Sequence, residues 1–304
     1  MIIVRGRAKE RQVNELQYSE KQVEYIIDSA LAEDTVHGDI TSEILIPPEL
    51  QGIAYIIVKA KGIIAGNEIA KMVFHRIDQL LEINVFIRDG AEVKPGDKVA
   101  TIQGNVRSIF KAERVALNFL QHLSGIATQT HQYITKISSM NVVITDTRKT
   151  TPGLRSMEKY AVRMGGGTNH RFHLGDGILI KDNHLATLRA VDMNLKDIIA
   201  KAKQNLPQEM KIEVEVNTIT EAISAAEAGA DIIMLDNMSL EEICRAVSLI
   251  PSQIKTEASG GITMTNIRAV AETGVNFISI GAITHSSKAL DISLEMESGT
   301  LKLI

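Results

Sequence analysis

The strongest constraint on the fold is a repeat in the second half of the chain, where short apolar segments alternate with helical ones. After Met140 this alternation is typical of βα units and predicts a parallel sheet. The predicted helices 221–228, 240–250 and 266–273 each stop at a glycine or proline. Six segments are predicted strands: Val142–Thr145, Ile178–Lys181, Ile212–Val216, Ile232–Leu235, Lys255–Ser259 and Phe277–Ile280.

Polar residues stand near the end of each predicted strand, and their placement indicates the architecture. They are Lys149 and its neighbours, Lys181, Glu215, Asp236, Ser259 and Ser279. In a (β/α) barrel the carboxyl ends of the strands converge on the face that carries the active site. The sequence therefore predicts an α/β fold with a (β/α) barrel, which is irregular and incomplete because 140–288 is too short for eight units. A doubly wound open sheet is the alternative.

The residues before Met140 have a different pattern, which predicts a separate α/β unit with a small sheet. Short β-rich runs punctuated by glycine follow an amphipathic opening helix. The predicted strands are 53–58, 83–87 and 99–102, and the predicted helices are 19–32, capped by Ser19, 70–81 and 110–128.

Composition excludes several classes of protein. The formal charge is −4 and there is no long basic tract, which argues against nucleic-acid binding. No apolar run is long enough for a membrane span or a secretory signal, and residues 1–14 are a predicted flexible extension. The single cysteine, Cys244, is predicted to be a buried structural thiol, which fits a reducing cytoplasm.

The densest group of charged residues lies between Asp146 and His184. It holds seven cations against four acids, with three histidines beside them. In a chain of negative net charge this predicts a pocket for an anionic ligand, and a solvated helix face is the alternative. The triple glycine 165–167 allows close approach of a ligand or a second chain, or is a flexible loop. The cations are Arg148, Lys149, Arg155, Lys159, Arg163, Arg171 and Lys181, and the histidines are His170, His173 and His184.

Glu215 and Asp236 end consecutive predicted strands, so both carboxylates are expected on one side of the barrel mouth. Hard oxygen ligands suit Mg²⁺ bound jointly with substrate. The alternatives are hydrogen bonds to sugar hydroxyls and neutralisation of nearby lysines. Glycine-rich turns after the last two strands, at 259–261 and 279–282, favour a phosphate site, with ordinary tight turns as the alternative.

A series of short motifs runs in order along the chain. Together they closely resemble the quinolinate phosphoribosyltransferase family, which consists of type II phosphoribosyltransferases. The motifs are Glu33–Asp34, Gly38–Thr41, Glu113–Asn118, Ser124–Thr128, Asp146–Gly153, Lys159–Ala161, Gly165–Gly167, Asn169–Arg171, Ile180–His184, Glu213–Val216, Leu235–Asn237 and Glu257–Ile262.

The resemblance implies an N-terminal α/β sandwich domain over 15–128, joined by the C-terminal tail 289–304, and an irregular α/β barrel over 129–288. It also implies a homodimer with shared active sites, in which Arg114 of one subunit reaches the barrel mouth of the other. A larger, hexamer-type assembly of such dimers is left open.

The implied reaction transfers phosphoribosyl from phosphoribosyl pyrophosphate to quinolinate in the presence of Mg²⁺. Its products are nicotinate mononucleotide, pyrophosphate and CO₂, a step of de novo NAD synthesis. By resemblance the quinolinate site contains Arg114, Thr147, Arg148, Lys149, His170, Arg171 and Lys181. Glu215 and Asp236 would orient the ribose and the metal, and Ser259, Gly260, Gly261, Gly281 and Ala282 would hold the 5′-phosphate. Lys149, Lys181, Glu215 and Asp236 are the predicted catalytic residues.

Three other functions compete with this one. A nicotinate-specific phosphoribosyltransferase, or a relative from metal-cofactor metabolism, would keep the fold and change the substrate. A barrel aldolase would use Lys149 or Lys181 as a Schiff-base nucleophile. A sugar-phosphate-binding protein would bind its ligand without turnover.

Overall fold

A computed structural model of the protein describes residues 20–205, 207 and 210–303. The predicted extension 1–14 and the predicted cap Ser19 lie outside the described residues. The helices are α1 Glu20–Asp34, α2 Ile40–Leu45, α3 Asn67–Ile77, α4 Val106–Lys136, α5 Arg155–Met164, α6 Asp182–Arg189, α7 Leu195–Asn205, α8 Ile219–Glu227, α9 Leu240–Leu249, α10 Ile267–Glu272 and α11 Ala282–His285.

The strands follow the same chain order. They are β1 Leu50–Val58, β2 Gly62–Ile63, β3 Glu82–Val85, β4 Glu92–Val93, β5 Lys98–Asn105, β6 Val143–Thr145, β7 Ile178–Ile180, β8 Ile212–Val216, β9 Ile232–Asp236, β10 Lys255–Ser259, β11 Phe277–Ser279, β12 Ile292–Met296 and β13 Lys302–Leu303.

The described residues fall into two compact units. The N-terminal unit consists of 20–131, 151–166 and 286–303, and the parallel-sheet unit consists of 132–150 and the described part of 167–285. Helix α5 belongs to the N-terminal unit, although it lies inside the predicted barrel range 129–288. Contacts within that unit account for this, because the Tyr160 hydroxyl donates to Asp89 at 2.7 Å and His122 Nε2 lies 2.9 Å from Glu158.

The N-terminal unit is built on an antiparallel sheet in the order β12-β1-β5-β3, with β13 also paired to β1. Every second residue of β1 from Gly52 onward is buried, because side chains alternate between the two faces of a strand. Helix α3 buries Ile69, Val73 and Phe74. The sheet and helices therefore enclose an apolar core of their own.

The parallel-sheet unit has six parallel strands in the order β6-β11-β10-β9-β8-β7. From β7 to β11 each strand lies beside the next in the chain, and the first strand, β6, pairs with the last. A doubly wound sheet would instead reverse its strand order at a switch point. The adjacency of first and last strands is the topology of a barrel, so the predicted α/β class with an incomplete barrel is confirmed.

The six predicted strands agree with the structure to within one residue at each end. Other expectations were less accurate. Helix α4 is much longer than the predicted 110–128, and α3 ends at Ile77 because Asp78 adopts an extended conformation.

The prediction for Cys244 was wrong, because its thiol is exposed. Cys244 follows Ile243 on α9, whose buried face carries Ile243 and Ala246. Successive residues in a helix are about 100° apart around its axis, so the side chain of Cys244 points away from that buried face.

The triple glycine also has a structural explanation within the N-terminal unit. A Cβ atom at Gly165 would lie 2.3 Å from the carbonyl oxygen of Ala127, so this glycine permits the chain to pack closely against α4. Among the described helices, none combines the length and apolar character that a membrane crossing requires.

Candidate active site

The predicted site residues of the parallel-sheet unit gather at the carboxyl ends of its strands, on one face of the sheet. Residues two apart on a strand point the same way, so Glu213 and Glu215 share a face. In the parallel register Glu215 lies opposite Met234, which puts Asp236 on that face too. Met234 pairs with Glu257 and Asp236 pairs with Ser259, so β10 contributes to the same face.

The loop after β6 is organised by Asp146, which is fully buried. Its carboxylate accepts from the Asn169 side chain at 2.6 Å and from the His170 backbone N–H at 2.9 Å. The Thr147 hydroxyl accepts from the backbone N–H of Lys149 at 3.0 Å, which turns the loop directly after Asp146. The loop therefore presents Thr147, Arg148 and Lys149 at the end of β6.

Arg148 and Arg171 lie close enough for their charges to interact. The pKa of the Arg171 guanidinium is lowered, first by burial and then by the positive charge of Arg148. Arg171 also donates to the carbonyl oxygen of Gly177 at 2.9 Å, which fixes the direction of its side chain. Two guanidiniums that repel each other form a site suited to an anion with more than one carboxylate.

Lys181 and Glu215 form an ion pair across neighbouring strands. Glu215 is largely buried, at 12% side-chain exposure, whereas Lys181 is 43% exposed and reaches it from the rim. On the next strand, Asp236 accepts from the side-chain amide of Asn237 at 2.7 Å. Asn237 has φ +54°, a left-handed conformation that is uncommon for residues other than glycine.

Of the two predicted phosphate turns, the one at 259–261 has the left-handed backbone geometry that its glycines suggest. Gly260 and Gly261 have φ +85° and +62°, and a Cβ at Gly260 would lie 2.2 Å from Oδ1 of Asn237. A Cβ at Gly281 would lie 3.0 Å from Cδ of Lys149, so this turn approaches the loop after β6. Ala282 begins α11, which has only four residues and therefore a weak helix dipole. A phosphate would be attracted mainly by the backbone amides of the turns.

A buried cluster joins His170, a predicted site residue, to Glu213 and Glu257, for which the sequence had predicted no role. His170 Nε2 lies 3.1 Å from Glu213 Oε2 and 3.8 Å from Glu257 Oε1. Burial and the charge of Glu213 raise the pKa of Glu257 to about 8, against the opposing effects of His170 and Ser279. Glu257 therefore keeps its proton at neutral pH. The sequence indicates only that each acid shares a strand face with a predicted site residue, because it stands two residues before that residue. It does not indicate that the acids are buried or that they lie beside His170.

One candidate atom from each member of this cluster lies within 4.8 Å of the others, a spacing that metal ligands can have. The Nδ1 atom of His170 accepts from the backbone N–H of Arg171 at 2.9 Å, so the proton of the neutral ring lies on Nε2. A metal ion would have to displace that proton. The ring tautomer therefore argues against a metal ion at this cluster.

Several predicted residues lie elsewhere. Arg155, Lys159 and Arg163 are on α5 of the N-terminal unit, and Lys159 is fully buried. Arg114 is on α4 of that unit, with 59% of its side chain exposed. In the parallel-sheet unit, His173 and His184 are exposed and act as local caps, since His184 Nδ1 accepts from the Lys181 backbone.

An incomplete parallel barrel whose strands end in paired cations and acids defines a class, the α/β-barrel enzymes that bind anionic substrates at the carboxyl face. Comparison with known families narrows this class. The family model of the quinolinate phosphoribosyl transferase N-terminal domain matches residues 39–124, and that of the C-terminal domain matches residues 126–295. The chain belongs to the quinolinate phosphoribosyltransferase family.

Individual relatives agree with this assignment. A probable nicotinate-nucleotide pyrophosphorylase [carboxylating] of Bacillus subtilis is 42% identical, and the match covers 90% of this chain and 93% of the relative. A chloroplastic nicotinate-nucleotide pyrophosphorylase [carboxylating] of Arabidopsis thaliana is 40% identical over 90% of this chain and 82% of its own. The solved structure of the nicotinate-nucleotide pyrophosphorylase from Francisella tularensis is 39% identical, with a TM-score of 0.88 over 95% of this chain and 100% of that chain.

Proposed function

We propose that this enzyme transfers a phosphoribosyl group from phosphoribosyl pyrophosphate to quinolinate, with loss of CO₂, to give nicotinate mononucleotide and pyrophosphate. The observation that carries the proposal is that Arg148 and Arg171 lie close enough for their charges to interact, in the same unit whose strand ends hold the Lys181–Glu215 pair. Quinolinate is a dianion, and guanidinium groups bind carboxylates through two parallel hydrogen bonds. An anion bound between two such groups would relieve their mutual repulsion.

The proposed chemistry has two steps. The pyridine nitrogen forms a bond to the anomeric carbon of the ribose as the bond to pyrophosphate breaks. The N-substituted ring is then cationic, and it takes up the electron pair released when the bond from C2 to its carboxylate breaks. A proton replaces the carboxylate at C2, and the balance requires no covalent enzyme intermediate. The role of this chain is to align the reactants and stabilise the developing charge.

The proposed roles of the individual residues follow the positions of their side chains. Arg148, Arg171 and Lys181 would hold the carboxylates of quinolinate, with Thr147, Lys149 and His170 beside them. Glu215 and Asp236 would accept hydrogen bonds from the ribose hydroxyls and face the positive charge that develops as pyrophosphate leaves. Ser259, Gly260, Gly261, Gly281 and Ala282 would bind the 5′-phosphate through backbone amides and a hydroxyl.

The donor set of Glu215 and Asp236 fits Mg²⁺, because both are carboxylates on one face of adjacent strands. Mg²⁺ bound there with the phosphoribosyl donor would neutralise charge on the pyrophosphate group. Lys181 already pairs with Glu215, so this lysine would turn toward quinolinate when the donor and its metal bind.

We further propose a cytoplasmic homodimer that completes each active site with Arg114 of the other subunit, and we leave a hexamer-type assembly of dimers open. The exposed guanidinium of Arg114 and the lone cysteine support this proposal. Mixed dimers made from two inactive variants test whether the active sites are shared.

The reaction itself is tested by incubating the pure protein with phosphoribosyl pyrophosphate, Mg²⁺ and quinolinate labelled in the 2-carboxylate. We expect labelled CO₂ and nicotinate mononucleotide in equal amounts. Nicotinate serves as the matched substrate, since it lacks this carboxylate and releases no CO₂. Nucleotide formed from nicotinate but not from quinolinate would refute the proposal. A borohydride-trapped adduct at Lys149 or Lys181 would favour the aldolase alternative instead.

A further inference from the structure

The segment that carries Arg171 is held residue by residue. The Thr168 backbone pairs with β6, donating to Ile144 at 2.9 Å and accepting from Asp146 at 3.2 Å. The side chain of Asn169 and the backbone of His170 then bind the buried Asp146 carboxylate. Such extensive restraint on a loop indicates that the position of its next residue, Arg171, matters.

The His170 ring extends this restraint inward. Its Nδ1 accepts from the backbone N–H of Arg171, which leaves Nε2 to carry the proton and to face Glu213 and Glu257. The side chain of His170 is 10% exposed, that of Glu213 is 7% exposed and that of Glu257 is fully buried. The ring is therefore directed into the protein, and both of its nitrogens lie against protein groups.

Burying two carboxyl groups beside each other is unfavourable, so their retention calls for an explanation. The charge of Glu213 also acts on Arg171, opposing the effects of burial and of Arg148 on its guanidinium. Glu213 thus contacts the histidine that binds the Arg171 backbone, and it supplies negative charge near the Arg171 side chain. Both effects act on the same arginine.

We propose that Glu213, with Glu257 behind it, is a positioning residue that holds His170 in the Nε2–H tautomer and thereby fixes Arg171 for binding the carboxylates of the substrate. The proposal rests on the proposed function, because it takes Arg171 as a contact of quinolinate. His170 acts here as a connection between the buried acids and the site, and neither acid touches the reacting atoms.

The first test is the tautomer of His170 in the wild-type protein, measured by long-range ¹H–¹⁵N correlation in ¹⁵N-histidine-labelled enzyme. His170→Asn identifies the signal. The proposal expects a neutral ring with its proton on Nε2. A ring protonated on Nδ1 alone, or on both nitrogens, would overturn it. This measurement requires no substrate, so it stays decisive even if the proposed reaction fails.

The second test compares two substitutions at Glu213. Leucine removes the carboxylate that faces His170 Nε2 at 3.1 Å, so the ring is held less firmly. We expect the quinolinate KM to rise about tenfold, while the KM for phosphoribosyl pyrophosphate stays within about threefold. Glutamine keeps an acceptor oxygen, so Glu213→Gln should restore most of the affinity and the Nε2–H tautomer. Glu241→Gln, an exposed acid on α9, is the matched control.

Equal losses for both substrates in Glu213→Leu, with no recovery in Glu213→Gln, would mean that Glu213 has only a structural role. If Glu213→Leu does not fold, the tautomer and the KM values of Glu213→Gln decide the matter. In that case a tenfold loss of quinolinate affinity with a retained tautomer would contradict the proposal.

Discussion

Individual side chains at the carboxyl ends of the strands are the ones that we propose carry the chemistry, and a buried acid on β10 shows how burial changes protonation. Glu257 is the clearest case, because full burial beside Glu213 raises its pKa from an ordinary value of 4.5 to about 8. At pH values between 4.5 and about 8, Glu257 keeps its proton in the native protein but has lost it in the unfolded chain. Stability must then fall as the pH rises through this range.

Glu257→Gln tests this linkage, because glutamine resembles the protonated carboxyl and does not titrate. We expect the unfolding free energy of the variant, relative to wild type, to increase between pH 5 and pH 8, as measured by urea denaturation. Glu242→Gln is the control. Hydrogen bonds from Ser239 lower the pKa of Glu242, so this residue is ionised in the native and the unfolded state over this pH range. The difference in unfolding free energy between Glu242→Gln and wild type should therefore stay constant. A constant difference for Glu257→Gln would contradict the account.

At the same scale, Glu215 is expected to serve the phosphoribosyl donor more than quinolinate. Glu215→Ala removes a carboxylate from the ribose side and releases Lys181, which remains available to bind quinolinate. We expect the KM for phosphoribosyl pyrophosphate to rise about tenfold or more, the effect of losing a charge-assisted hydrogen bond. Quinolinate binding, followed by calorimetry, should change much less. Equal losses for both ligands would show that the assignment is wrong.

At the scale of elements, strand register determines which side chains meet. The loops after β9 and β10 fit each other closely, since Asn237 donates its backbone N–H to Ser259 and its side chain fills the space beside Gly260. Asn237 also donates to Asp236, so one loop sets the position of a candidate catalytic acid and of a candidate phosphate turn.

Gly260→Ala tests this fit. Its Cβ would collide with the Asn237 side chain and require φ +85°, so we expect a loss of about 1–3 kcal/mol in the unfolding free energy. The KM for phosphoribosyl pyrophosphate should rise as well. Gly175→Ala is the matched control, because a Cβ there meets nothing within 4 Å. Similar stability of the two variants would argue against the proposed loop fit.

The sequence predicted the strands of the parallel-sheet unit well, because most of them are short, largely apolar runs followed by a polar residue, and helix stops separate the later ones. Ser239 and Glu242 form a capping box at the start of α9, a pattern of residue types and spacing that can be recognised in a sequence. The roles of Glu213 and Glu257 were not predictable in this way, because a buried acid in a strand looks the same in sequence as an exposed one. Only the three-dimensional contact with His170 distinguishes them. The exposure of Cys244 likewise depends on helix phase, which composition does not give.

At the scale of the whole molecule, the proposed dimer implies that each active site needs residues from two chains. Arg114→Ala and Lys149→Ala subunits should each be inactive alone. A mixture should regain about a quarter of wild-type activity, because random exchange makes half the dimers hybrids and each hybrid has one intact site of two. Activity is measured after subunit exchange has been verified by native mass spectrometry. A mixture that stays inactive despite exchange would rule out sharing.

The central claim is that Arg148 and Arg171 form a site for a dicarboxylate, and equilibrium binding tests it most directly. Calorimetric titration of the wild-type protein with quinolinate and with nicotinate compares ligands that differ by one carboxylate. We predict that quinolinate binds at least about tenfold more tightly, and that Arg171→Ala removes most of this difference, because the second carboxylate adds a charge-assisted hydrogen bond. Equal affinity for the two ligands in the wild-type protein would contradict the account.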